Sequence, residues 1–255
     1  KMARLKYATA IVFCSLIIIS CKKEDPIDAP KEVTQVRFSY NGTFNNAPIH
    51  PDSIFRNFQN YPIKIEKVNF FMSDIRFNEI DTLKLSNPFL YRKNQDESIV
   101  NSLHSLNDFG DYSSFSFNVG VAQPTNSSDP TTYAEGNHFS SYHSGDMHWT
   151  WNTGYIFLKI EGTYDTIPGS NETPLTFAWH IGNDVNLETL SFQQPFAIQS
   201  NKLNLIPLKY DVAKVFLTGN DTVWIKENPM LHSTPAQIEV SKKVISNFSK
   251  SIEVQ

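Results

Sequence analysis

Nine consecutive residues, Met147-His148-Trp149-Thr150-Trp151-Asn152-Thr153-Gly154-Tyr155, bring a thioether, an imidazole, two indoles and a phenol together. Further imidazoles surround them. The seven histidines are His50, His104, His138, His143, His148, His180 and His232. His138, His143 and His148 recur every five residues through a stretch too irregular for a helix and too polar for a core strand. His180 alternates with Phe177, Trp179 and Ile181, so a strand there turns it to the opposite face. His232 follows Met230 and Leu231, just before a helix-start signal. Imidazole and thioether donors without a thiolate suit copper, in either oxidation state, better than zinc or calcium. The plainer role for Trp149 and Trp151 is to anchor a β-sheet core.

Other chemistries have less support. No closely spaced His-x-x-x-His zinc motif, Gly-x-Ser-x-Gly elbow, P-loop or dinucleotide fingerprint occurs. Acidic residues are plentiful, but no spacing singles out a glycosidase-like carboxylate pair. With 22 basic and 26 acidic residues the net charge is −4. No basic patch stands out, which argues against a nucleic-acid partner.

The elements that must position these residues read as strands. Val36, Phe38 and Tyr40 alternate ahead of Asn41-Gly42, a turn pair. Ile63 and Ile65 alternate, and Val68 and Phe70 resume out of phase, which predicts a bulge at Glu66-Lys67. Ile75 and Phe77 follow, then short runs at 82–85, 89–91 and 99–103. Phe115, Phe117, Val119 and Val121 give the cleanest alternation. The polar, loop-like stretch 123–146 then leads into the aromatic cluster, and function is often carried on such loops. Ile156, Leu158 and Ile160 share one face and Tyr155 and Phe157 the other, which predicts a central strand covered on both sides. Strands are also expected at 176–181, 187–192, 203–208 and 223–225, while 211–218 is ambiguous.

One helix is expected, at the end. Thr234, Pro235 and Gln237 supply an N-cap hydroxyl, a first-turn proline and a capping-box glutamine. Ile238, Ser241, Ile245, Phe248 and Ile252 then share a face, with Lys242-Lys243 outside. The fold class is all-β, an immunoglobulin-like β-sandwich with one C-terminal α-helix. A single domain of this size is ordinary.

Residues 1–20 read as a secretion signal. Lys1, Arg4 and Lys6 precede an apolar stretch, residues 8–19, too short for a comfortable membrane span. Ile18-Ile19-Ser20-Cys21 resembles a bacterial lipobox, with Cys21 as the lipidated first residue of the mature chain. Residues 21–32 form a tether, and 33–255 the folded domain. Loss of the three leader cations leaves 19 basic against 26 acidic residues, a net charge of −7. Cys14 is discarded with the leader, which removes thiol chemistry. These features predict a lipid-anchored protein of the cell envelope, in the outer membrane on its periplasmic side or at the cell surface.

The order of landmarks resembles the MbnP-like copper-binding family. They are Phe70-Phe71-Met72-Ser73-Asp74-Ile75-Arg76, Phe117-Asn118-Val119-Gly120-Val121 with Asn126, the Met147–Tyr155 cluster, Glu161-Gly162 and Trp179-His180-Ile181-Gly182. The resemblance implies an extracytoplasmic β-sandwich that binds copper for acquisition or handling. In relatives a tryptophan is oxidised to kynurenine by a MauG-like di-haem cytochrome c peroxidase, and the product helps hold copper beside histidines. Intact indole offers an N–H donor and no in-plane lone pair, whereas the aniline amine of kynurenine has one.

By that resemblance Trp149 or Trp151 is the modified residue and His180 a ligand, with His148 beside the cluster. His143, His232 and Met147 are lower-ranked candidates. The family's tryptophan-to-histidine spacing is not reproduced around Trp149, so copper held by His148 and His180 alone is the other arrangement. His148 and Trp149 point to opposite faces of a strand, so both serve only if the chain bends there. On this reading the chain is no enzyme, and is substrate rather than catalyst of any reaction. The rival is a cell-surface carbohydrate-binding module with Trp149, Trp151 and Tyr155 as a stacking platform, or a purely structural β-sandwich.

Overall fold

The computed structural model describes residues 33–50, 52–78, 83–84, 89–92, 104–106, 109–144, 146–149 and 154–255. The leader, the tether with Cys21, the run at 99–103 and Trp151 lie outside the described residues. The principal strands are β1 (Thr34–Phe44), β2 (Pro62–Phe77), β3 (Phe115–Val119), β4 (Ile156–Tyr164), β5 (Leu175–Gly182), β6 (Glu188–Phe192), β7 (Leu203–Asp211), β8 (Met230–Leu231) and β9 (Glu253–Val254). The terminal helix α1 is Ile238–Lys250.

Two sheets result. One has the order β9, β7, β1, with β1 and β7 parallel from Gln35 opposite Leu203 to Thr43 opposite Asp211. The other runs β6, β3, β2, β4, β5, β8. Aromatic side chains fill the space between them. Phe38 of β1 stacks on Phe115 of β3 at 5.6 Å, and Tyr40 meets Phe70 of β2 at 5.8 Å. Helix α1 closes the gap: Phe248 lies 5.1 Å from Phe70 and 5.6 Å from Tyr210 of β7. The protein is the sandwich with one C-terminal helix that the strand pattern predicts.

The phase slip in β2 has its predicted cause. Glu161 pairs with Lys67 and Gly162 with Ile65, so Glu66 is the extra residue of a bulge. Strand β4 is central, between β2 and β5, and Ile156 through Ile160 are all buried. Its outer face is covered by the polar stretch, where Lys159 reaches the Asp146 carbonyl oxygen and carboxylate.

Two readings are corrected and an ambiguous one is resolved. Asn41-Gly42 is not a turn: β1 runs through it and reverses at Asn45-Asn46, both at positive φ. Gly42 serves close packing instead, since a Cβ there would lie 2.6 Å from Tyr210 Cζ. Residues 223–225 are not a strand. The pairing is Leu217–Thr218 with Asp221–Thr222, and the alternation of buried Val223 and Ile225 with exposed Trp224 reflects burial alone. Residues 211–218 resolve into a single helical turn, Ala213–Phe216, followed by that short strand.

Because Phe248 fills the space between the sheets, Phe248→Ala should lower unfolding free energy by about 3–5 kcal/mol. The exposed Lys243→Ala should leave it unchanged. Chemical denaturation of both variants checks this; equal stabilities would contradict the role given to α1.

Candidate metal centre

Strands β5 and β8 pair in parallel, Ala178 opposite Met230 and Trp179 opposite Leu231. Side chains alternate along both, so Trp179 and Leu231 enter the core, each fully buried. The next position along each strand is a histidine, and both imidazoles lie on the outer face. The rings of His180 and His232 are 5.1 Å apart, centre to centre, at 85°. Two imidazoles sharing a metal at about 2.0–2.1 Å per nitrogen have ring centres roughly 5–6 Å apart.

Trp149 completes the group. Its N–H donates to Gly154 O at 3.1 Å, and Ile156 N–H donates to Met147 O at 2.8 Å. Met147–Trp149 and Gly154–Ile156 are therefore the two arms of a hairpin. The indole lies 6.2 Å from His180 and 6.2 Å from His232, ring centre to ring centre. Gly182, two residues beyond His180 on the same face, makes room for it. A Cβ there would stand 3.0 Å from Trp149 Nε1 and 2.7 Å from Tyr155 O.

Polar contacts hold these three elements in place. Asn126, buried in the covering loop, accepts from Tyr155 N–H at 2.8 Å and donates to Asp184 Oδ1 at 2.8 Å. It thus ties the hairpin to the turn after β5. Gly182 N–H donates to Ser233 Oγ at 3.1 Å, and Asn183 Nδ2 donates to Ser233 O at 2.8 Å. Gln237, expected to close a capping box on Thr234, accepts from the Thr234 hydroxyl at 3.1 Å and also reaches further back. Its Oε1 accepts from His232 N–H at 3.0 Å and its Nε2 donates to Met230 O at 2.8 Å. The start of the terminal helix therefore fixes the backbone on both sides of Leu231.

A carboxylate anchored on both oxygens lies beside His180. His180 Nε2 is 2.7 Å from Glu161 Oε1, and Lys67 Nζ is 2.8 Å from Glu161 Oε2. The hydrogen bond from His180, opposed by burial and reinforced by Lys67, holds the Glu161 carboxyl down to about 2. Burial, with His180 nearby, pushes His232 below the ordinary histidine range, which keeps it neutral at pH 7.

The other candidates lie elsewhere. His148, on the face opposite Trp149, packs edge-on against Tyr155 at 5.0 Å. His143 sits against His138 at 5.3 Å, within the covering loop. Met147 is fully buried among core residues. Of the platform proposed for sugar, Trp149 is 6% exposed and Tyr155 fully buried, with its hydroxyl donating to Phe139 O at 2.8 Å. Burial raises the Tyr155 phenol to about 12. Neither ring presents an open face for stacking.

Among the described residues no three His, Cys, Asp or Glu side chains form a metal-holding group by themselves. The described residues still fit copper chemically, as two imidazoles with an aromatic side chain beside both and no thiolate. Trp149, 6.2 Å from each imidazole, stands among the described residues on the third side of the pair.

The MbnP family model matches residues 33–234, most of the chain, with Trp149, His180 and His232 inside it. The chain belongs to the MbnP family. Among solved structures it is similar to MbnP from Methylosinus trichosporium at 12% identity, over 77% of this chain and 82% of that one, with a TM-score of 0.43. No curated protein matches it. Within the matched residues Asn126 clamps the hairpin, Gly182 admits the indole and Glu161 holds His180.

Asn126→Ala should cost about 1–3 kcal/mol, because the Tyr155 N–H loses its partner in a buried position. It should also raise amide exchange across the hairpin. Hydrogen-exchange mass spectrometry reads both, and unchanged protection at 147–156 would contradict the clamp.

Proposed function

We propose that this protein binds copper between His180 and His232, with Trp149 supplying the third side. Membership of the MbnP family, which is associated with copper and methanobactin-related systems, supports the choice of metal. The observation that carries the proposal is the convergence of these three rings from separate segments of the chain. Copper is cargo here: the protein acquires or handles it and catalyses no reaction.

Of the two candidate tryptophans, Trp149 is the one proposed for modification, since its ring neighbours are the two ligand imidazoles. Oxidative cleavage of the indole C2–C3 bond takes up two oxygen atoms. With peroxide as oxidant, two molecules are reduced to water, and hydrolysis of the formyl group releases formate. The remaining aniline amine carries the lone pair that indole lacks. A MauG-like di-haem peroxidase is the proposed partner that supplies the oxidising step. Lipidation at Cys21 and residence in the outer membrane complete the proposal, supported by the sequence of residues 1–25.

The test is copper titration against a competing chelator. His180→Ala and His232→Ala should each weaken binding by at least about 100-fold, more than a supporting residue does. His148→Ala should bind as the parent does. Peptide mass spectrometry of protein from its own host should find kynurenine at 149 and intact tryptophan at 151. Full affinity in both His180→Ala and His232→Ala, or modification confined to Trp151, would overturn the assignment.

A further inference from the structure

In the sequence Glu161 shows only as half of a Glu-Gly landmark. It sits on β4, on the outer face, between residues of two neighbouring strands. Lys67 of β2 is its direct cross-strand partner, and His180 of β5 is the diagonal neighbour of that pair, since Ala178 stands opposite Glu161. One carboxylate oxygen faces His180 Nε2 at 2.7 Å and the other faces Lys67 Nζ at 2.8 Å. Both oxygens are thus engaged, and the carboxylate holds its place beside the metal centre instead of entering it.

We propose that Glu161 is a positioning residue: it fixes His180 as the Nε2–H tautomer, so that His180 offers Nδ1 to copper. The reasoning rests on the copper reading above and on donor inventory. An ionised carboxylate only accepts, so the hydrogen of a 2.7 Å contact belongs to Nε2. A neutral imidazole with hydrogen on Nε2 has its single lone pair on Nδ1. Lys67 keeps the carboxylate oriented, and it also approaches Asp146 at 4.0 Å, immediately before the Trp149 hairpin. The same row of charges thus reaches from His180 to the base of the segment carrying the third side of the site. A carboxylate behind a ligating imidazole raises its basicity and holds its ring plane.

Two measurements on the full chain test this. Long-range proton–nitrogen correlation spectra should show His180 protonated at Nε2 before copper is added. Addition of Cu(I), which is diamagnetic, should shift His180 Nδ1 while Nε2 stays protonated. In chelator competition, Glu161→Gln should weaken copper binding by about 10–100-fold. Its altered His180 nitrogen shifts would report the tautomer directly, which a merely structural role would not move. Coordination through His180 Nε2, or parental affinity in Glu161→Gln alongside the loss in His180→Ala, would overturn the positioning role alone. Parental affinity in both His180→Ala and His232→Ala would instead overturn the copper site, and this role with it.

Discussion

Two rungs of parallel pairing, Ala178 with Met230 and Trp179 with Leu231, set the register on which the site depends. Strand side chains alternate, so once Trp179 and Leu231 are committed to the core, the residues that follow them emerge together on the other face. A shift of one residue in either strand would send one histidine inward and leave the other alone. The pairing is short, and other contacts reinforce it. Trp179 Nε1 donates to Asn228 O at 2.7 Å, just before β8, and Gln237 holds the backbone at Met230 and His232 just after it. The core thereby sets the candidate site: burial of two apolar side chains fixes the position of two polar ones.

The third member arrives by a different route. Because β4 is buried on both faces, its outer side has to be covered, and the long polar stretch before it serves as the cover. That cover ends in the hairpin carrying Trp149. Phe139, Met147 and Trp149 of this segment join the core, and particular hydrogen bonds, Asn126 above all, fix where the hairpin lies. Gly182 supplies the complementary space, and the bulge between β4 and β5 falls at Ile156–Leu158, beside the hairpin. A paired set of imidazoles and a clamped aromatic arm make an arrangement already organised, which would limit the ordering cost of the proposed binding.

The sequence reveals those features that follow from local periodicity. The bulge at Glu66 shows as a slip in the alternation of Ile63, Ile65, Val68 and Phe70, and the helix shows as a 3.6-residue pattern from Ile238 to Ile252. His180 is legible as a candidate because Phe177, Trp179 and Ile181 claim the opposite face. His232 ranks low from sequence because Met230-Leu231-His232 is too short to declare itself a strand. Set beside Ala178-Trp179-His180, however, it carries the same out, in, out order. Glu161, Asn126, Ser233 and Gln237 are not legible as site residues, since their roles depend on partners 19 to 51 positions away or on a backbone turn. His148 shows the converse. Adjacency to Trp149 in the chain puts it on the wrong face.

The central claim is that two imidazoles, from β5 and from the end of β8, grip the copper. X-ray absorption spectroscopy at the copper edge of the loaded protein tests it most directly. The account predicts multiple scattering from two imidazole rings, further light-atom donors and no sulfur shell. A sulfur shell, which would bring in Met147, or a fit requiring a single imidazole, would contradict it.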